Sequence, residues 1–378
     1  MTTKPLAILL CKFRDQNRQP QRILFYRDFF TEGGSGKGGA FDYWLNVSDA
    51  SIDLTGSKVF GWFKMPRFTG DVAGLTFPQD RETLVSWGVE SAKANGVDLS
   101  PFFGVIVILN SPTDHGAAGE RRVVLAYGPD DWEPTFVLHE MGHLLGLDHS
   151  WSADPDTVYG DSWDLMSAMR VWKFAGNFDR RAADPAPLSG PGLNAHNLER
   201  LGSLPSDRVW EAPGQGGTQI VPLAALNHPE ADGFLVARIP ATNHPPRTAY
   251  TFEFRRKDEW DRGIPKDTVL AHEIRTNGFS YLLSTATGPE LQSGQEFRAD
   301  NPKVRIRVTA IEAASSRAVL EITWLLNGLL TAGDPAGYLS NADTPRVDYR
   351  GTDGHVHEIY IDENGQWAHF DLSDGANP

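Results

Sequence analysis

Five residues between Phe136 and Ser150 have the types and spacing that metal chemistry needs. They are His139, Glu140, His143, Gly146 and His149, in the order H-E-x-x-H-x-x-G-x-x-H. On a helix, residues four apart share a face, so the imidazoles of His139 and His143 can reach one ion. Gly146 stands where the helix should stop, because glycine enters a left-handed turn at little cost. The turned chain can then bring His149 to the same ion. Three histidines leave one tetrahedral position for water, the arrangement of a catalytic zinc rather than a closed structural one. Glu140 follows the first ligand directly and points beside that water, where a carboxylate can accept its proton. The alternative is an amphipathic helix with incidental histidines. Three polar residues on a helix rich in Leu, Val and Met need a shared partner, which favours the metal.

This string resembles the metzincin signature of zinc metalloendopeptidases. Asp164–Leu165–Met166–Ser167 resembles the Met-turn of the same proteins, in which Met166 would lie under the metal as an apolar floor. Met169 competes for that role, and the D-x-M-S context favours Met166. The resemblance implies an α+β metzincin-like catalytic domain, a zinc cofactor and a protein or peptide substrate. Hydrolysis would then run through a zinc-bound water whose proton passes to Glu140 and on to the leaving amine. The resemblance also implies that the strand before the zinc helix is a sheet edge pairing with extended substrate. Here that strand is Arg122–Tyr127, with Val123, Val124, Leu125 and Ala126 as its substrate-edge residues. Astacins and serralysins carry a Tyr two residues after the Met-turn Met. This chain has Ala168 there, which leaves Tyr159 as a substitute donor. Ser150 follows the third His as in matrixins, and G-L-N-A-H-N-L-E-R-L-G from Gly192 is similar to bacterial secreted metalloproteases of the gametolysin and immune-inhibitor group.

The composition bounds the alternatives. At 378 residues, two or three domains are expected. A formal charge of −14 argues against nucleic acid or an anionic membrane as the main partner. Cys11 is the only cysteine, so no internal disulfide can form. No apolar run approaches the roughly 20 residues of a membrane span. Leu6–Cys11 is followed at once by Lys12 and Arg14, and reads as a buried first strand rather than a leader. Inside that strand, Cys11 is no candidate for the pro-segment cysteine with which matrixins silence their zinc. A peptidase without a visible inhibitor fits an extracellular, secreted protein better than a cytoplasmic one.

Along the chain, residues 5–13 and 103–110 read as strands, and 22–31, 41–47, 80–95 and 194–201 as helices. The active-site helix would be capped by Asp131, with Pro134 in its first turn. The glycine-rich loop Gly33–Gly39 is no phosphate loop, because Gly38 stands where Ser or Thr must follow the Lys. Asp154, Asp156, Asp161 and Asp164 could hold calcium with oxygen ligands, but no calcium-loop motif is present, and a solvated loop is the plainer reading. From Gln219 to Trp324 come short alternating runs separated by Pro, Asn, Gly and Asp, the pattern of an all-β sandwich. His272–Glu273 sits in one of them without a second His four residues on, so it reads as a satisfied strand histidine. The tail, with Y-R-G-T-D-G-H-V-H-E and W-A-H-F-D-L, resembles a single repeat of β-propeller lectin-like proteins. His355 and His357 share a strand face there, as surface histidines or as metal or sugar contacts. The expected division is a zinc metallopeptidase domain over 1–210, a β-sandwich over 211–326, a linker over 327–343 and a short β tail module over 344–378. The leading expectation is a zinc endopeptidase whose C-terminal modules serve targeting or stability. The alternative is a carbohydrate- or cell-surface-binding protein with an accessory zinc domain, which would bind a glycan through the tail.

Overall fold

The run Leu6–Lys12 is apolar at nearly every position, which suits a strand covered on both faces, and it is an interior strand of a five-stranded sheet. The computed structural model describes residues 3–126, 131–167, 171–178, 180–181, 189–213, 216–241, 245–300, 302–324, 336–339, 345–351, 355–362 and 366–373. Strand β1 (Leu6–Lys12) lies between β2 (Lys58–Lys64) and β3 (Gly104–Leu109), parallel to both, and β3 runs parallel to β5 (Arg122–Ala126). The short β4 (Gly116–Ala117) pairs antiparallel with the outer side of β5.

Alternation along these strands sends their side chains into two separate cores. Leu6, Ile8, Leu10, Ile106, Ile108, Val123 and Leu125 face α1 (Ile23–Phe30), α2 (Ala40–Val47) and α4 (Pro134–Leu144). Ala7, Leu9, Cys11, Val107, Leu109 and Val124 face Leu84, Val85 and Trp87 of α3 (Arg81–Ala94). Each fully buried aliphatic or aromatic side chain contributes about 1.5–3 kcal/mol. The sheet is therefore a rigid platform for the helix that carries the histidines.

The later chain is strand. A seven-stranded sheet runs β10 (Val209–Glu211), β12 (Val236–Pro240), β13 (Arg247–Arg255), β14 (Thr268–Arg275), β15 (Ser280–Leu282), β7 (Trp151–Ala153) and β8 (Asp156–Val158). A four-stranded sheet has the order β11 (Gly217–Ala224), β18 (Arg317–Trp324), β17 (Lys303–Glu312), β16 (Glu296–Asp300). Phe252, Phe254 and Val269 of the first share one core with Ile306, Leu320 and Ile322 of the second. A two-stranded pair joins β6 (Asp131–Trp132) to β9 (Arg180–Arg181). The tail is an antiparallel meander of β19 (Ala336–Leu339), β20 (Pro345–Arg350), β21 (Val356–Ile361) and β22 (Trp367–Asp371). Helix α5 (Ala195–Arg200) gives its Ala195 N–H to Glu253 of β13 and its Asn197 Nδ2 to Asp164.

These sheets correct the expected fold class. With 38% strand against 20% helix, the chain is mostly β, in several sheets, and is not the α+β metzincin-like architecture that the motif implied. The physical reason is pairing at long range. The β7–β8 hairpin, which follows the third histidine, joins the far sheet through Trp151 opposite Tyr281 and Ser152 opposite Leu282. The proposed linker over 327–343 lies outside the described residues except for β19, as do Ala168 and Met169. Among the described residues no helix is long and apolar enough to cross a membrane.

Candidate metal centre

Helix α4 begins at Pro134, whose fixed φ and missing N–H suit a first helical position. Its N-cap is Glu133, which makes no side-chain cap, and Asp131 lies in β6 instead. The helix carries His139, Glu140 and His143, and it lines a cleft of about 550 Å³ with Phe136, Glu140 and His143. It ends as anticipated: Gly146 has φ +97°, and the Leu147 N–H donates to the Gly142 carbonyl at 2.9 Å. The reversed chain returns His149 to the helix.

The three histidines converge. His143 Nε2 lies 3.1 Å from His139 Nε2 and 3.0 Å from His149 Nε2. Their donor atoms lie within 4.8 Å of one another, close enough to bind one metal ion. Ligand nitrogens about 2.0–2.1 Å from a tetrahedral ion stand roughly 3.3 Å apart, which the two separations made by His143 approach. The opposite ring nitrogens fix the tautomer: His139 Nδ1 donates to the Leu165 carbonyl at 3.0 Å and His143 Nδ1 to the Leu147 carbonyl at 2.8 Å. That leaves the Nε2 lone pairs of His139 and His143 turned toward each other at 3.1 Å, an arrangement that repels itself unless a cation sits between them. The residues fit a metal.

The electrostatics agree. Burial, helped by the neighbouring His143, pushes the His139 pKa down to about 3. Burial and His143 likewise push His149 down to about 4, and burial lowers His143. All three are therefore neutral at physiological pH, the form a metal takes. Glu140 is 6% exposed, and burial pushes its pKa up to about 7 against the opposing pull of the Ala117 N–H and Arg81. A dication beside it would reverse that shift.

Met166 is fully buried beneath this centre. A Cβ placed on Gly142 would come within 2.4 Å of Met166 Sδ, so the floor and the helix touch only because residue 142 is glycine. The Met166 N–H donates to Asp164 Oδ1 at 2.8 Å, and its carbonyl accepts from the Ser150 N–H. Tyr159 reaches the centre from the other side, with its hydroxyl 3.1 Å from His149 Nε2. Its backbone has φ +61°, which is strained for a side-chain-bearing residue.

The expected edge strand is displaced by one. Val123 and Val124 of β5 are paired on their outer side with Ala117 and Gly116, so the sheet edge beside the cleft is β4. Ala117 also gives its N–H to Glu140 Oε2 at 2.7 Å. Leu125 and Ala126 lie in β5 beyond that pairing, buried in the two cores, and do not line the cleft. Arg81, Asp114 and His115 line the cleft and carried no signal in their spacing. Arg81 Nε is paired with Asp114 at 2.5 Å, and His115 packs edge-on against Phe136.

The aspartates considered for calcium are engaged within the protein where their contacts are known. Asp156 pairs with Arg275, and Asp161 and Asp164 are buried in hydrogen bonds to neighbouring residues. Among the described residues the three histidines are the one group able to hold a metal. In the tail, His355 pairs with Asp371 at 2.7 Å, and His357 Nδ1 meets His369 Nε2 at 3.1 Å. No protein-family model, no curated protein and no solved structure matches the chain.

Proposed function

We propose that the chain is a zinc-dependent endopeptidase. The observation that carries this is the convergence of three histidine ring nitrogens beside a buried carboxylate, Glu140, at one open cleft. A zinc ion held by His139, His143 and His149 would supply Lewis acidity toward a peptide carbonyl and lower the pKa of a bound water. Glu140 accepts the proton of the attacking water and returns it to the leaving amine. The Ala117 N–H holds one of its oxygens, which fixes the carboxylate toward the cleft. Strand β4 is the sheet edge beside the cleft, along which an extended peptide would lie. Tyr159 supplies a hydroxyl where negative charge develops on the carbonyl oxygen. The resemblance of the H-E-x-x-H-x-x-G-x-x-H string to the metzincin signature supports the same reaction.

The test is metal-dependent proteolysis. A purified sample should contain about one zinc per chain, cleave an unfolded protein, lose that activity to a chelator and regain it with zinc. A sample that binds zinc stoichiometrically and cleaves nothing would overturn the proposal.

A second reading rests on the tail. Trp367 is 66% exposed and Phe370 is also exposed, both on β22, the strand that carries the Asp371 partner of His355, and exposed aromatics suit a sugar ring. In that case the chain binds glycans with the metal centre as an accessory. Binding to a glycan array that persists in Glu140→Gln and vanishes in Trp367→Ala supports it, and no binding to any glycan removes it.

A further inference from the structure

The strongest unexplained feature lies behind the metal centre, where the far sheet meets the loop that carries Met166. His272 of β14 is 1% exposed, and its Nε2 lies 3.0 Å from Asp161 Oδ2. Its Nδ1 lies 3.9 Å from Glu253 Oε2. Burial opposes a charge on His272, but Glu253 and Asp161 outweigh it and raise its pKa above the ordinary value. Asp161 also accepts from the Trp163 N–H at 3.0 Å and from Asn194 Nδ2 at 3.3 Å. Three residues further on, Asp164 holds the Met166 N–H, the Asn194 N–H and Asn197 Nδ2. The loop between these two aspartates therefore has its backbone fixed at both ends.

The same sheet grips the other side of this cluster. Glu253 Oε2 accepts from the Ala195 N–H at 2.7 Å, and Asp261 accepts from the Gly192 N–H at 2.8 Å. Arg255, fully buried, clamps Asp261 with two bonds at 2.8 and 2.5 Å. The Gly192 carbonyl in turn accepts from the Leu165 N–H, and the Leu165 carbonyl accepts from His139 Nδ1. A continuous set of hydrogen bonds thus runs from the sheet to the first histidine of the centre.

We infer that His272 is a positioning residue for the metal centre: through Asp161 it sets the loop whose Leu165 carbonyl orients His139 and whose Met166 floors the site. The strand-rich part of the chain is then a component of the centre. This rests on the three histidines being the metal ligands. A bond that orients a ligand histidine is worth about 10–100-fold in metal affinity.

The experiment measures affinity of the full chain for Zn²⁺ by chelator competition, and the visible spectrum with Co²⁺. It compares wild type, His272→Ala and Leu320→Ala, a core truncation in the other sheet. His272→Ala should lose about tenfold in affinity and shift the Co²⁺ band, whereas Leu320→Ala should keep both despite a lowered Tm. If His272→Ala keeps wild-type affinity and spectrum, or if both variants weaken in step with their Tm, the inference is wrong. Should His272→Ala fail to fold, Asp161→Asn is read by the same criteria. If wild type binds neither ion, the metal assignment falls and takes this inference with it, an outcome distinct from a wild type that binds and a variant that matches it.

Discussion

Glu140 sits where its burial and its proposed work conflict. Burial pushes its pKa up to about 7, so near neutral pH it is only part ionised, and a cation at the neighbouring histidines would hold it in the carboxylate form that a base needs. Glu140→Gln should therefore keep zinc and lose about 10²–10⁴ in kcat. Zinc content and turnover measured on the same sample check this, and full activity would contradict it. The histidines give a pH prediction of definite sign. Protons compete with a metal only below a ligand's own pKa, and burial has moved His139 to about 3 and His149 to about 4 from the ordinary 6.5. With His143 lowered as well, zinc affinity should stay nearly level from about pH 8 down through the ordinary imidazole range near 6.5 and fall only in more acid solution. A steep loss beginning near pH 6.5 in a competition titration would show ligands with ordinary titration. Tyr159→Phe should reduce kcat by about 10²-fold at unchanged KM, as the loss of one donor to a developing charge does. An equal change in KM and kcat/KM with kcat preserved would instead assign Tyr159 to ground-state binding.

At the scale of the element, α4 and the loop beneath it meet at Gly142 and Met166. Gly142→Ala puts a methyl against Met166 Sδ and should cost about 1–3 kcal/mol by overpacking. Adding Met166→Ala to it should restore part of the loss, because the clash is then gone. Urea unfolding of the two singles and the double measures that coupling, and strictly additive losses would contradict the contact. The metal site was legible in the sequence because its information is local. His139 and His143 are one helical turn apart, and Gly146 announces the reversal that returns His149. The substrate edge was not legible in the same way. Strand β4 is two residues long, too short for any alternation, and Gly116–Ala117 is indistinguishable from loop in composition. The metzincin resemblance instead places the edge on the strand before the helix, at Val123–Ala126. Arg81 and Asp114 reach the cleft from a helix start and a loop 33 residues apart, which no local spacing reveals.

For the whole molecule, the class of fold was read from its most conspicuous motif and came out wrong. The helices announce themselves by period, but the balance toward β comes from pairings such as Trp151 with Tyr281 that no window of sequence contains. Likewise His272 appeared as a satisfied strand histidine, and its partner Asp161 as a loop aspartate. Their contact depends on two sheets and a loop being assembled. One consequence is cooperative. With β7 paired to β15 and Arg275 bonded to Asp156 at 2.7 Å, the helical and strand-rich parts should melt in a single transition. Zinc at a hundredfold excess over its Kd should raise the stability of that whole transition by about 2.7 kcal/mol. Two calorimetric transitions, only one of them moved by zinc, would contradict the coupling.

The central claim is hydrolysis of peptide bonds with Glu140 as the base. Its most direct test is digestion of a denatured, sequence-diverse protein mixture, with new termini read by mass spectrometry. Wild type, wild type with chelator and Glu140→Ala are compared side by side. New termini in the first sample alone are the predicted result, and the residues flanking them would define the cleft's specificity. Identical termini in all three samples would contradict the claim and leave the histidine centre with a structural role.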